Sequence, residues 1–172
     1  MTDKELVLSE SAIAQRVQEL GQMITRDYAG RSLVVVGILK GAFIFMADLV
    51  RHIDLPLEID FVRVASYGAG TTSGELRFTK DIEVAVAGRD VLLVEDIVDT
   101  GRTVAFLRDI ITCHEPSSLR ICALIDKKER RDVPCWVDYV GFDVHEGFLV
   151  GYGLDCAEQY RNLAAVYHLR GR

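Results

Sequence analysis

The chain has 172 residues, 49% hydrophobic and 27% charged. A chain of this size and composition buries a core without disulfides or a structural metal, which excludes collagen-like, mucin-like and disordered architectures. Its 20 Lys and Arg against 26 Asp and Glu give a formal net charge of −6, which opposes non-specific attraction to a nucleic-acid backbone, so any phosphate must be held by local groups.

The longest apolar stretch, Leu33 to Val50, is interrupted by Gly37, Lys40, Gly41 and Asp48, whereas a membrane span needs about 20 mostly apolar residues. Cys113, Cys122, Cys135 and Cys156 show neither CxxC nor CxxH spacing, and the N-terminus has no charged segment followed by an apolar one. A cytoplasmic chain with reduced thiols, no thiolate zinc site and no membrane partner is the expectation.

Ile13, Val17, Leu20, Met23/Ile24 and Tyr28 recur at helical spacing, which predicts an amphipathic helix over Ser9 to Tyr28 with Ser9 or Ser11 as N-cap and Gly30 just past its end. Leu33 to Leu39 is a β-branched run suited to a strand buried on both faces of a parallel sheet, and Ala42 to His52 follows as a helix. Leu57 to Ala65 alternates as a strand. The Gly-, Ser- and Thr-rich stretch Ser66 to Gly74 reads as a flexible loop, because its glycine spacing does not complete a dinucleotide fingerprint.

Val91 to Val94 is a second buried strand, Thr103 to Thr112 a helix, and Leu119 to Ile125 a third strand behind the turn Glu115-Pro116-Ser117-Ser118, which makes a right-handed crossover unit. Val137 to Phe142, Phe148 to Tyr152 and Ala165 to Leu169 are short apolar pieces broken by glycines. No internal repeat or low-complexity linker divides the chain, so residues 1–172 read as one α/β domain: an open, twisted, mainly parallel sheet flanked by helices, with a small appended hood.

In such a sheet ligands bind beyond the carboxyl ends of the strands. Glu95-Asp96-Ile97-Val98-Asp99-Thr100-Gly101-Arg102-Thr103 lies there, between a strand and a helix. Unpaired N–H groups of residues 100 to 103, the helix dipole and two hydroxyls suit a monophosphate. Glu95 and Asp96 suit sugar hydroxyls or the water shell of a magnesium ion. On the residues alone an acidic cap also stays open, with Asp99 as N-cap and Glu95 and Asp96 solvated.

The segment Val94 to Thr103 resembles the phosphoribosyl pyrophosphate motif of the purine phosphoribosyltransferases, in the form found in the hypoxanthine-guanine type. The resemblance extends to Leu39-Lys40-Gly41, Ala65-Ser66-Tyr67-Gly68, Leu124-Ile125-Asp126-Lys127, Val140-Gly141-Phe142 and Phe148 to Asp155. It implies a type I phosphoribosyltransferase fold and a purine salvage reaction, in which Mg²⁺ assists transfer of a 5-phosphoribosyl group from phosphoribosyl pyrophosphate to hypoxanthine or guanine, forming IMP or GMP. It also implies a homodimer or homotetramer.

Carried over by position, the resemblance implies that Thr100, Gly101, Arg102 and Thr103 hold the 5′-phosphate, with Asp99 as general base toward the purine N7 proton. Glu95 and Asp96 bind the ribose hydroxyls and help place magnesium. Lys40 and Gly41, after a non-proline cis peptide, contact pyrophosphate together with Arg161. Lys127 donates to the 6-oxo group, Phe148 stacks on the purine, Leu149 contacts its exocyclic edge through the backbone, and Asp155 helps hold a second magnesium. Ser66 and Tyr67 belong to the closing lid. The chain departs from the family at Asp143 to Gly147, which lacks the usual proline and basic residue.

Two rival readings remain. The same fold serves RNA-binding regulators, but the net charge of −6 and the lack of a basic stripe oppose a nucleic-acid partner. Adenine, xanthine or a pyrimidine could replace the base, but the Lys127 ammonium can only donate, which favours a 6-oxo over a 6-amino group. Lys128, Glu129, Arg130 and Arg131 read as a solvated charge run. His52, His114, His145 and His168 lack metal-ligand spacing and receive no role.

Overall fold

The computed structural model describes residues 4–67 and 75–170. Its elements are β1 (Lys4–Leu8), α1 (Glu10–Asp27), β2 (Leu33–Leu39), α2 (Phe43–Val50), β3 (Leu57–Tyr67), β4 (Glu75–Lys80), β5 (Asp90–Val98), α3 (Arg102–Thr112), β6 (Ser118–Asp126), β7 (Tyr139–Asp143), β8 (Leu149–Val150) and β9 (Val166–Leu169). The larger sheet has the order β4-β3-β2-β5-β6-β7, with β4 alone antiparallel to its neighbour, and the smaller is β1-β9-β8. The mainly parallel open sheet and its small hood are thus as expected.

Side chains of β2, β5 and β6 alternate between two cores. Leu33, Val35, Leu92, Val94, Cys122 and Leu124 face the side covered by α1 and α2, while Val34, Val36, Val91, Leu93, Ile121 and Ala123 face the side covered by α3. A strand buried on both faces has no polar alternation, which is why these runs are continuously apolar. Helix α1 buries Ile13, Val17, Leu20 and Ile24 and is capped by the Ser9 side chain, which accepts from the Ala12 N–H.

The chain crosses from β2 to β3 in one direction and from β2 to β5, by way of β4, in the other. The strand order therefore reverses between β2 and β5, and a crevice opens at their carboxyl ends.

Three expectations are corrected. Strand β1 precedes the first helix; its residues are mostly exposed, so no hydrophobic run announces it. Strand β3 continues through Ser66 and Tyr67, which pair with Leu76 and Glu75 of β4. These two residues of the expected loop Ser66 to Gly74 are therefore strand, and residues 68–74 lie outside the described residues. Strand β5 runs on to Val98, so Glu95 and Asp96 are strand residues and not part of the following turn.

The β3–β4 hairpin is anchored through Asp60, which is 6% exposed. Its carboxylate accepts from the backbone N–H of Phe61, Glu83 and Val84 and pairs with Lys80 at 3.2 Å. Burial pushes the Asp60 carboxyl up, but these N–H groups and the ammonium outweigh it and hold it below the usual carboxylate range. Asp60→Ala removes the side-chain acceptor of three backbone N–H groups and one of the partners of Lys80, which keeps Glu83 and the Phe61 and Asp81 carbonyls, and is expected to cost about 3 kcal/mol of stability in urea unfolding. Because the folded-state pKa is lowered, the Asp60 contribution is complete above about pH 4 and disappears as pH falls through the lowered value. The wild type should therefore lose more stability than Asp60→Ala on acidification through that window.

Candidate active site

Strand alternation divides the carboxylates at the end of β5. Glu95 shares the parity of Val91 and Leu93 and lines a cavity of about 100 Å³ at the start of α3, with Val98, Asp99, Thr100, Gly101 and Thr103. Asp96 shares the parity of Leu92 and Val94 and lies against the turn after β2, with its carboxyl still in hydrogen-bond contact with that of Glu95. Both side chains are buried. Burial pushes Glu95 well above the usual carboxylate range and the adjacent Asp96 charge adds to this, while burial likewise raises Asp96.

The turn after β2 is shaped for Asp96. The Leu39-Lys40 peptide is cis, and a Cβ on Gly41 would lie 1.9 Å from Asp96 Oδ2. Glycine is the one residue that lets the backbone pass this carboxylate.

Asp99, Thr100 and Gly101 form the turn into α3. Gly101 is the helix N-cap at φ +85°, in the left-handed region, which corrects the reading of Asp99 as N-cap. Its missing side chain makes room for the Val133 carbonyl, which a Cβ would meet at 2.7 Å. The Thr100 carbonyl accepts from the N–H groups of Asp132 and Val133, each at 3.1 Å. The Arg102 N–H donates to Thr100 Oγ1 at 3.3 Å, and the Arg102 guanidinium is engaged with Asp132 at 2.7 Å. Of the expected phosphate ligands, Thr100, Gly101 and Thr103 line the cavity and Arg102 does not.

On the far side of Gly41, Lys40 and Arg161 come together. Lys40 Nζ is 2.6 Å from Glu158 Oε2, and Arg161 Nη2 is 3.3 Å from Glu158 Oε1 and 3.0 Å from Asp155 Oδ1. Arg161 Nη1 also donates to the Gly153 carbonyl at 2.7 Å, while its Nε is buried without a partner.

A second cavity of about 210 Å³ lies next to the first, lined by Asp96, Asp99, Lys127, Phe148, Leu149 and Asp155 among others. Lys127 is buried, with its ammonium 3.2 Å from Glu129, and Phe148, which lines the cavity, is 40% exposed. Asp99 lines both cavities. Arg130 approaches its Oδ2 at 3.4 Å, and its Oδ1 is buried with no hydrogen-bond partner.

Arg131 was hidden within a charge run. Its guanidinium donates to the carbonyls of Asp99 at 2.9 Å, Val98 at 3.1 Å and Lys127 at 3.3 Å, and pairs with buried Asp126. It thereby ties the turn before α3 to the Lys127 segment. Glu158 was also missed. No pattern in the sequence singles out either residue, because their partners are brought together only by folding.

A family model described as the phosphoribosyl transferase domain matches residues 5–157. The chain is 48% identical to a hypoxanthine phosphoribosyltransferase of Haemophilus influenzae, over 94% of this chain and 93% of that one. It is also 48% identical to a hypoxanthine-guanine phosphoribosyltransferase of Streptococcus thermophilus, over 95% and 91%. The structure is similar to that of a hypoxanthine-guanine phosphoribosyltransferase of Bacillus anthracis, with a TM-score of 0.92, 42% identity and 99% of each chain covered.

Arg131→Gln leaves buried Asp126 without its guanidinium and releases three carbonyls. The expected cost is about 3 kcal/mol in urea unfolding, several times that of Arg130→Gln at the exposed neighbouring position.

Proposed function

The chain belongs to the phosphoribosyltransferase family, and from that premise we propose that it transfers the 5-phosphoribosyl group of phosphoribosyl pyrophosphate to N9 of hypoxanthine or guanine, forming IMP or GMP in cytoplasmic purine salvage. The observation that carries this reading is the position of Asp99, whose buried, partnerless Oδ1 sits where an anion-sized cavity meets a larger one floored by an aromatic ring. A buried acceptor with no donor suits a ligand that brings its own proton.

Thr100, Gly101 and Thr103 take the 5′-phosphate at the N-terminus of α3, where backbone N–H groups and the helix dipole favour an anion. Glu95 and Asp96 accept from the ribose hydroxyls. In the second cavity Phe148 stacks on the purine, Lys127 donates to its 6-oxo group and the Leu149 backbone meets its exocyclic edge. Lys40, the Gly41 backbone and Arg161 hold the leaving pyrophosphate. The N9–C1′ bond forms as the C1′–oxygen bond to pyrophosphate breaks, and the N7 proton passes to Asp99. Developing positive charge on the sugar, as in other glycosyl transfers, lies beside buried carboxylates.

Magnesium fits as an ion carried on the donor. Glu95 and Asp96 are adjacent buried carboxylates that a divalent cation would relieve, and among the described residues no three ligating side chains converge into a cage. Mg²⁺ ordinarily keeps several waters and uses one or two carboxylates with substrate phosphates. Glu95 and Asp96 would hold it, with Asp155 beside the pyrophosphate subsite for a second ion. When bound, it neutralises charge on the departing pyrophosphate.

Ser66 and Tyr67 end β3 at the carboxyl edge of the sheet and are proposed as the stem of a lid that excludes water. The chain acts as a homodimer or homotetramer, which native mass spectrometry would register.

Incubation with phosphoribosyl pyrophosphate, Mg²⁺ and each of hypoxanthine, guanine, xanthine, adenine and uracil is expected to yield nucleotide from hypoxanthine or guanine and none from adenine. No turnover with any base would overturn the enzyme reading. Asp99→Asn is expected to lower kcat by about a hundredfold or more, with donor affinity unchanged in calorimetry. A wild-type kcat in that variant removes Asp99 from the mechanism.

A further inference from the structure

We propose that Glu158 is the resident anion of the leaving-group subsite, a carboxylate that occupies Lys40 and Arg161 until pyrophosphate displaces it. The inference rests on the reading of those two cations as pyrophosphate contacts.

The geometry of the carboxylate is the first ground. Its two oxygens are divided between the cations, Oε2 at 2.6 Å from Lys40 Nζ and Oε1 at 3.3 Å from Arg161 Nη2. A phosphoryl group bridging the same donors would make the same division. Glu158 is held in this pose by its own backbone, since its N–H donates to Asp155 Oδ2 at 2.9 Å.

The second ground is that the occupancy is weak and incomplete. The side chains of Lys40 and Glu158 are 47% and 62% exposed, and ion pairs so open to water contribute little. Arg161 Nε stays buried with no partner while Glu158 is in place. A polyanion with more oxygens can satisfy a donor that the carboxylate leaves unmet, and it carries more charge to these cations. Glu158 is therefore positioned to keep both cations aimed at the subsite in the free protein, to yield to the donor's pyrophosphate, and to compete with the product for re-entry.

The test is isothermal titration of inorganic pyrophosphate, with Mg²⁺ present, into the wild type, Glu158→Gln, Glu158→Asp and Lys40→Met, each checked for folding by its melting curve. Glu158→Asp keeps the charge but is one methylene too short to engage both cations. Displacement of a resident carboxylate predicts that Glu158→Gln and Glu158→Asp both bind pyrophosphate about threefold to fivefold more tightly than the wild type. Tightening in Glu158→Gln alone would mean that only the local net charge matters and overturns the proposal, as does wild-type affinity in both. Lys40→Met is expected to weaken binding. If it does not, the assignment of the subsite itself fails, an outcome distinct from failure of the Glu158 role alone.

Discussion

The site is organised around two adjacent carboxylates buried at the carboxyl end of a central strand. Removing charge from water is costly unless partners replace the lost hydration, and among the described residues the backbone donors to Glu95 and Asp96 are local, the N–H groups of Asp96 and Ile97. Much of the surrounding architecture accommodates this pair. The two carboxyl groups stay in hydrogen-bond contact at the end of the strand, Glu95 lining the smaller cavity and Asp96 the larger. Gly41 has no Cβ because Asp96 fills the space. The loop carrying Gly153 in turn packs onto the Gly41 carbonyl, which a Cβ on Gly153 would meet at 2.1 Å. A pair that weakens the free protein is suited to a ligand rich in hydroxyls and divalent charge.

The second organising feature is the rigid spacing of the two cavities. Glycosyl transfer needs the base nitrogen and the sugar carbon in line and at close approach, so the two cavities proposed for base and phosphate must be held in register. Thr100 and the segment after Lys127 are joined by two backbone hydrogen bonds, and Arg131 ties the carbonyls of Val98, Asp99 and Lys127. Asp99 stands at the seam. The side proposed for the leaving group is built differently, from the long cationic side chains of Lys40 and Arg161 and the exposed Glu158 carboxylate, which can rearrange at little cost.

The amphipathic period of α1, the buried runs of β2, β5 and β6 and the carboxylate-rich segment after Val94 were all legible in the sequence, because each is a local pattern dictated by burial on one or two faces. The ordered motifs that resemble the family also pointed to most of the residues that the fold brings to the two cavities. Strands β1 and β4 were not legible. They are edge elements with exposed or half-exposed residues, and their place is set by pairing with β9 and β3 and not by hydrophobic pattern.

Lys127 and Arg131 show what folding alone decides. Both lie in a run of seven consecutive charged residues, Asp126 to Asp132, in which only the resemblance singles out Lys127; yet Lys127 is buried beside the larger cavity and Arg131 is fixed on four acceptors, while Lys128 stays exposed. Chain order determined which chemical groups stand at the ends of which strands, since alternation and strand length are local. Whether a charged side chain faces water or a carbonyl, and that Glu158 should meet Lys40, depended on contacts between residues far apart in the chain, which exist only once the sheet has brought its carboxyl ends together.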